Sequence, residues 1–249
     1  MHISGPGLRP AVRDNISDQR PKALFPPVSY GLATDMSAFP QSLISGYQTF
    51  TSQRLPAEQS RYRELSERGQ SPAVMVIGCC DSRVSPEVIF DAGPGELFVV
   101  RNVANLVPVY QPDGGAHGVS AALEYAITVL RIRHVVVLGH AQCGGIRAFI
   151  DNIEPLSPGD FIGRWMSMFV KPGEVVERRD RESMADFTVR IEKAAVFRSL
   201  ENLMTFPFVR ERVERGEMEL HGAYFGVAEG SLFVLDQAAK EFNRVTEIA

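Results

Sequence analysis

The chain has 249 residues, 45% hydrophobic and 22% charged, the balance of a globular protein with room for one α/β domain with extensions or two small domains. Its 26 basic and 30 acidic residues leave a net charge of −4, which excludes the positive footprint of a nucleic-acid binder. No apolar run reaches the ~18–20 residues that cross a bilayer, and residues 1–27 lack the apolar stretch of a secretory signal. The expectation is a cytoplasmic protein with no membrane or nucleic-acid partner.

Residues 1–36 are rich in Pro, Gly and polar residues without a period and read as a flexible or extended arm, leaving 37–249 as a single α/β domain. Phe39, Leu43, Tyr47 and Phe50 fall near helical spacing, with Pro40 suited to a first turn. Residues 57–68 predict a second, mostly polar helix that Gly69 ends. Residues 73–79, 96–102 and 134–139 are short β-branched apolar runs of the kind buried on both faces in parallel sheets. Between the last two, 117–132 has helical periodicity with Leu123, Ile127 and Leu130 on one stripe.

Residues 151–217 read as mainly helical. The basic residues from Lys171 to Arg190 alternate with Glu174, Glu177, Asp180, Glu182 and Asp186, as on a solvated face. Residues 219–227 and 231–236 predict strands around the hairpin signal Ala228-Glu229-Gly230, and the residues from Gln237 onward suit a closing helix. The fold class is therefore α/β. We expect a mostly parallel central sheet of about four strands plus an antiparallel edge strand, flanked by helices, with an N-terminal helical arm.

Reactive side chains gather where two of the buried strands end. Cys79, Cys80, Asp81 and Arg83 follow one strand, and His140 and Cys143 follow another. Ligands of open α/β sheets collect at carboxyl strand ends, above all where strand order reverses. Three cysteines, two of them adjacent, make a poor disulfide framework and point to metal binding or catalysis. Cys79, His140 and Cys143 are a donor set for zinc, and three protein ligands leave a fourth position for water. Gly144 and Gly145 let the backbone bend into a helix whose positive end favours the Cys143 thiolate. Cys80 is expected to point away and pack. Asp81 and Arg83 are spaced for a bidentate pair. Arg83 lies too near Cys79 for the phosphate-cradling loop of a cysteine phosphatase.

The Cys-x-Asp-Ser-Arg and His-x-x-Cys-Gly-Gly segments, with FVVRNVANLV and ALEYA between them, resemble the β-class carbonic anhydrases. The match spans residues 40–150, with a fainter echo at 220–236. The resemblance implies one Zn²⁺ per subunit on Cys79, His140 and Cys143, with Asp81 and Arg83 as the catalytic dyad. It implies reversible hydration of carbon dioxide to bicarbonate and a proton by attack of a zinc-bound hydroxide. It implies a substrate pocket of Gln70, Phe98, Val103, Tyr125 and the Gly144 amide. It also implies a homodimer or homotetramer with active sites at the dimer interface, where Gln70, Phe98 and Tyr125 serve the neighbouring zinc. The bicarbonate-regulated branch of that family carries Trp three residues before the first zinc Cys. Val76 stands there instead, although Arg101 is present, so the chain resembles the plant-type branch.

His117 and His134 are proton-shuttle candidates by residue type alone, and His134 reads better as a structural residue at a strand start. Hydrolysis of carbonyl sulfide or carbon disulfide is a rival within the family. A thiol-based metal store or redox sensor is a rival from another class, and it leaves Asp81, Arg83, Gln70 and Tyr125 without a use.

Overall fold

The computed structural model describes residues 39–171 and 174–246, in two units divided after Pro56. The arm expected over residues 1–36 lies outside the described residues. In the first unit α1 (Gln41–Thr49) follows Pro40 and continues through a π-helical turn, Phe50–Arg54. It buries none of its residues, and Phe39, Leu43 and Tyr47, four apart, are all exposed.

The second unit holds the sheet. Most of α2 (Leu55–Arg68) belongs to it. That helix ends where Gly69 takes a left-handed φ of 81° and its N–H closes on the Leu65 carbonyl. There follow β1 (Val74–Cys79), α3 (Pro86–Ile89), β2 (Leu97–Asn102), α4 (Gly118–Glu124) with a π-helical turn Tyr125–Val129, and β3 (His134–His140). Next come α5 (Gly144–Ile150), α6 (Phe161–Ser167), α7 (Met184–Leu203), α8 (Pro207–Glu214), β4 (Glu219–Gly226), β5 (Ser231–Asp236) and β6 (Glu241–Arg244). No described helix is long and apolar enough to cross a membrane.

The strands form one sheet in the order β2-β1-β3-β4-β5-β6. The first four run parallel and the last two antiparallel. From β1 the chain goes first to β2 on one side and then to β3 on the other, so the order reverses at β1. The carboxyl ends of β1 and β3, with Gly78 beside Leu138, therefore frame the crevice in which such sheets hold ligands.

Apolar strand residues bury both faces. Met75, Ile77, Val135 and Val137 enter one core with Leu123 and Ile127, and Val76, Leu138 and Ala223 form another. The stripe expected on 117–132 is present, although its helix loosens into the π turn at Tyr125. α7 lies against β3 closely because Gly139 has no side chain. A Cβ there would stand 2.7 Å from Val196 Cγ2.

The closing helix expected after Asp236 is absent. Asp236 Oδ1 instead accepts the N–H groups of Ala238 and Ala239, closing a turn that Lys240 completes with a φ of 56°. The chain then returns as β6, a second antiparallel strand, and Phe242 packs on Phe197 and Tyr224. Pairing of the β5 edge and the partial burial of Phe242 outweigh the helical preference of Ala238, Ala239 and Lys240.

Candidate metal centre

β1 delivers Cys79 at its last position and β3 delivers His140 at its last position. After His140 the backbone turns through Gln142, at a φ of 58°, so that Cys143 becomes the N-cap of α5. Gly145 allows this: a Cβ there would lie 2.5 Å from Val103 Cγ1. The Cys79, His140 and Cys143 ligand atoms all lie within 4.8 Å of one another, and all three residues are buried.

The two sulfurs are 4.0 Å apart. Two thiolates on a tetrahedral zinc, with bonds near ~2.3 Å, lie about 3.8 Å apart. His140 Nδ1 donates to the Ala141 carbonyl at 2.9 Å, which fixes the tautomer with the lone pair on Nε2. That Nε2 is buried with no hydrogen-bond partner. An orphaned imidazole nitrogen beside two sulfurs is the arrangement a zinc ion satisfies, so the residues present fit the metal.

The thiols already share their protons unequally. The Cys143 thiol donates to Cys79, which brings Cys79 down to about 4 against the cost of burial. Cys143 is pushed up, first by that same hydrogen bond and then by burial, while the N–H groups of Ile146 and Gly145 pull the other way.

Asp81 and Arg83 form the bidentate pair. Asp81 Oδ1 accepts the Arg83 Nε at 2.9 Å and its backbone N–H at 3.0 Å, and Oδ2 accepts Nη2 at 2.7 Å. The guanidinium holds the Asp81 carboxyl well below the usual carboxylate range. Arg83 Nη2 also donates to the Gln142 carbonyl at 3.1 Å, tying the dyad to the loop that carries Cys143. Arg83 is pushed up, first by Asp81 and less by the charges on Cys143 and Cys79.

Three supports were given no place in the site from sequence. Arg101 donates to the carbonyls of Cys79 at 2.8 Å and Asp81 at 2.6 Å, so its guanidinium braces the loop after β1. Trp165 Nε1 donates to the Val103 carbonyl at 2.7 Å. Glu192, on α7 and 2% exposed, accepts the Cys143 N–H at 3.0 Å and the Tyr224 hydroxyl at 2.6 Å. Burial raises Glu192 above the ordinary value, with those two donors opposing. A signal for Glu192 did exist: it is a charged residue beside Ile191 and Ala195 on the apolar stripe of α7.

The expected pocket residues divide. Val103 packs on the cluster around Cys79 and Cys143, and Gly144 opens α5 next to Cys143. Phe98 pairs with Met75, four residues before Cys79, so along the strand it lies ~13 Å from the site. Its ring meets that of Tyr125 at 6.1 Å, Tyr125 is 45% exposed, and Gln70 is exposed as well. Cys80, expected to pack, is exposed, because β1 ends at Cys79 and no core covers the next residue.

A family model described as carbonic anhydrase matches residues 74–232. The chain is 37% identical over 191 residues to Beta carbonic anhydrase 3 of Arabidopsis thaliana, covering 75% of this chain and 73% of that one. The chain belongs to the β-class carbonic anhydrases. Among solved structures of β-carbonic anhydrases, CcaA is similar with a TM-score of 0.75 and 28% identity, over 83% of this chain and 92% of that one. A second match is to the tetrameric β-carbonic anhydrases of the filamentous ascomycete Sordaria macrospora. There the TM-score is 0.67 and the identity 26%, over 79% of this chain and 96% of that chain.

Proposed function

We propose that the chain catalyses the zinc-dependent, reversible hydration of carbon dioxide to bicarbonate and a proton, with Cys79, His140 and Cys143 as the zinc ligands. The observation that carries this is the meeting of two sulfurs 4.0 Å apart with a buried, unpartnered His140 Nε2. Zinc, when bound, supplies Lewis-acid activation of water at neutral pH.

The chain's own residues do the rest. Asp81 stays ionised because Arg83 occupies both of its oxygens, so at neutral pH it can only accept a hydrogen bond. Accepting the proton of the attacking oxygen aims a lone pair of that oxygen at carbon. Arg83 holds the carboxylate in that pose by its second anchor at Gln142. Val103 gives carbon dioxide an apolar wall, and the Gly144 N–H is a donor for the bicarbonate oxygen as charge develops.

Gln70, Phe98 and Tyr125 serve the pocket of a neighbouring subunit in a homodimer or homotetramer. The distance of Phe98 from this chain's own cluster, the exposure of Tyr125 and Gln70, and the tetrameric relatives support that reading. Three free cysteines suit the reducing cytoplasm, where we place the protein.

Zinc content and stopped-flow carbon dioxide hydration, measured on one preparation, test the proposal. Equimolar zinc and rapid hydration are expected. Asp81→Asn is expected to keep zinc and lose hydration by roughly 10²-fold or more. Full turnover in Asp81→Asn, or turnover without zinc, would overturn the mechanism.

A further inference from the structure

His134 begins the strand that His140 ends, and at that opposite end of the sheet a second set of ligand atoms converges. His134 Nδ1 lies 3.2 Å from His221 Nε2. Glu219 Oε2 lies 3.8 Å from His134 Nδ1 and 3.6 Å from His221 Nε2. Backbone register produces the grouping. His134 pairs with Glu219 across β3 and β4, and His221, two residues along β4, shares the face of Glu219. The Glu219 N–H donates to the Arg133 carbonyl at 2.8 Å and the His134 N–H to the Ala73 carbonyl at 3.1 Å, so both strand starts are pinned.

We propose that His134, Glu219 and His221 form a second metal site, for a divalent transition ion such as zinc or nickel, separate from the Cys79 centre. Two ligands with ~2.0–2.1 Å bonds to a tetrahedral ion lie about 3.3–3.4 Å apart, and no two can exceed about 4.1 Å. All three observed separations fit that limit. Two imidazoles and one carboxylate leave an open coordination position, and the side chains, 38%, 68% and 36% exposed for His134, Glu219 and His221, can be reached from solvent. Without an ion, the two facing ring nitrogens have to share a single proton.

The charge around the site selects the ion class. His134 and Glu219 line a cavity of about 770 Å³ together with Arg131, Arg133, Arg212 and Glu217. Arg212 is fixed by the Ile127 and Glu217 carbonyls, at 3.1 and 3.2 Å. Guanidinium groups disfavour magnesium or calcium, which bind through oxygen ligands and charge. They leave an advantage to ions that gain from imidazole nitrogen.

The test is nickel binding to the full-length, zinc-containing protein, with nickel and zinc counted separately by elemental mass spectrometry after equilibrium dialysis. The wild type is expected to take up one nickel per chain without losing zinc. The double variant His134→Ala/His221→Ala is expected to bind nickel at least ~10-fold more weakly, since loss of an outer partner alone typically costs 10–100-fold. Glu219→Gln, which keeps both imidazoles, is expected to fall between the two. Equal nickel uptake by wild type and double variant, or none in the wild type, would overturn the site. Zinc content is read in the same samples, so failure of the Cys79 centre is told apart from failure of this one.

Discussion

The Cys143 N–H donates at 3.0 Å to Oε1 of Glu192, a residue of α7 that lies 49 positions later in the chain. The carboxylate stands behind the metal centre and also takes the Tyr224 hydroxyl, so one buried group sets the position of the turn that presents the second sulfur. Glu192→Leu leaves both donors buried without an acceptor, at about 1–3 kcal/mol each. The expected result is a lower melting temperature and zinc affinity reduced by roughly 10–100-fold in a chelator competition. Glu192→Gln still offers an oxygen to Cys143 and is expected to keep most of both.

Metal removal gives a second prediction, read from thiol chemistry. Cys80 is exposed whereas Cys79 and Cys143 are buried. In the zinc-loaded protein a thiol reagent is expected to titrate Cys80 alone. After chelation Cys79 is expected to react next, because its hydrogen bond with Cys143 lowers its thiol while the same bond pushes Cys143 up. Equal reactivity of all three cysteines before chelation would contradict the ligand assignment.

Arg83→Lys tests the fork. A lysine keeps the charge but cannot hold both Asp81 oxygens and the Gln142 carbonyl together. The expected outcome is hydration activity between those of wild type and Arg83→Ala, with zinc content unchanged in both.

Gly145→Ala tests the close approach at Val103. The added methyl would meet Val103 Cγ1 at 2.5 Å and Ala104 Cβ at 3.2 Å. Overpacking of this kind costs about 1–3 kcal/mol. A denaturation midpoint equal to wild type would show that α5 can move without penalty.

Away from the site, Arg190 holds Glu182 down to about 2 from an ordinary 4.5. Because the folded value is the lower one, the pair contributes stability fully above pH 4.5 and loses it as pH falls toward 2. Urea midpoints of wild type and Glu182→Gln are therefore expected to differ at neutral pH and to converge below pH 3 or so. A gap that persists in acid would mean that Glu182 acts through packing.

The parallel strands were legible because residues 74–79 and 135–139 are apolar runs, as burial on two faces requires. Cys79, His140 and Cys143 were legible for a related reason, since each sits at or just past a strand end, where topology alone makes side chains meet. Glu192 left one mark, a charge on the apolar stripe of α7, but the Cys143 N–H that ties it to the site is a backbone donor, which residue type does not show. The segment after Asp236 misled because Ala238, Ala239 and Lys240 favour a helix locally. The choice was made by the Asp236 turn and the unpaired edge of β5, neither of which lies within the segment. For Phe98, only the register with Met75 reveals how far it stands from its own chain's sulfurs.

The notch at Gly139 has a reach beyond its own contact. Val196 rests in it, and Glu192 sits four residues earlier on the same α7, one helical turn toward the centre. Spacing between helix and strand therefore calibrates how deep the carboxylate reaches under Cys143. A single methyl at residue 139 would work as a shim, lifting the helix and drawing Glu192 back. The damage would register first as a loosened grip on the ion, in a residue that never touches it.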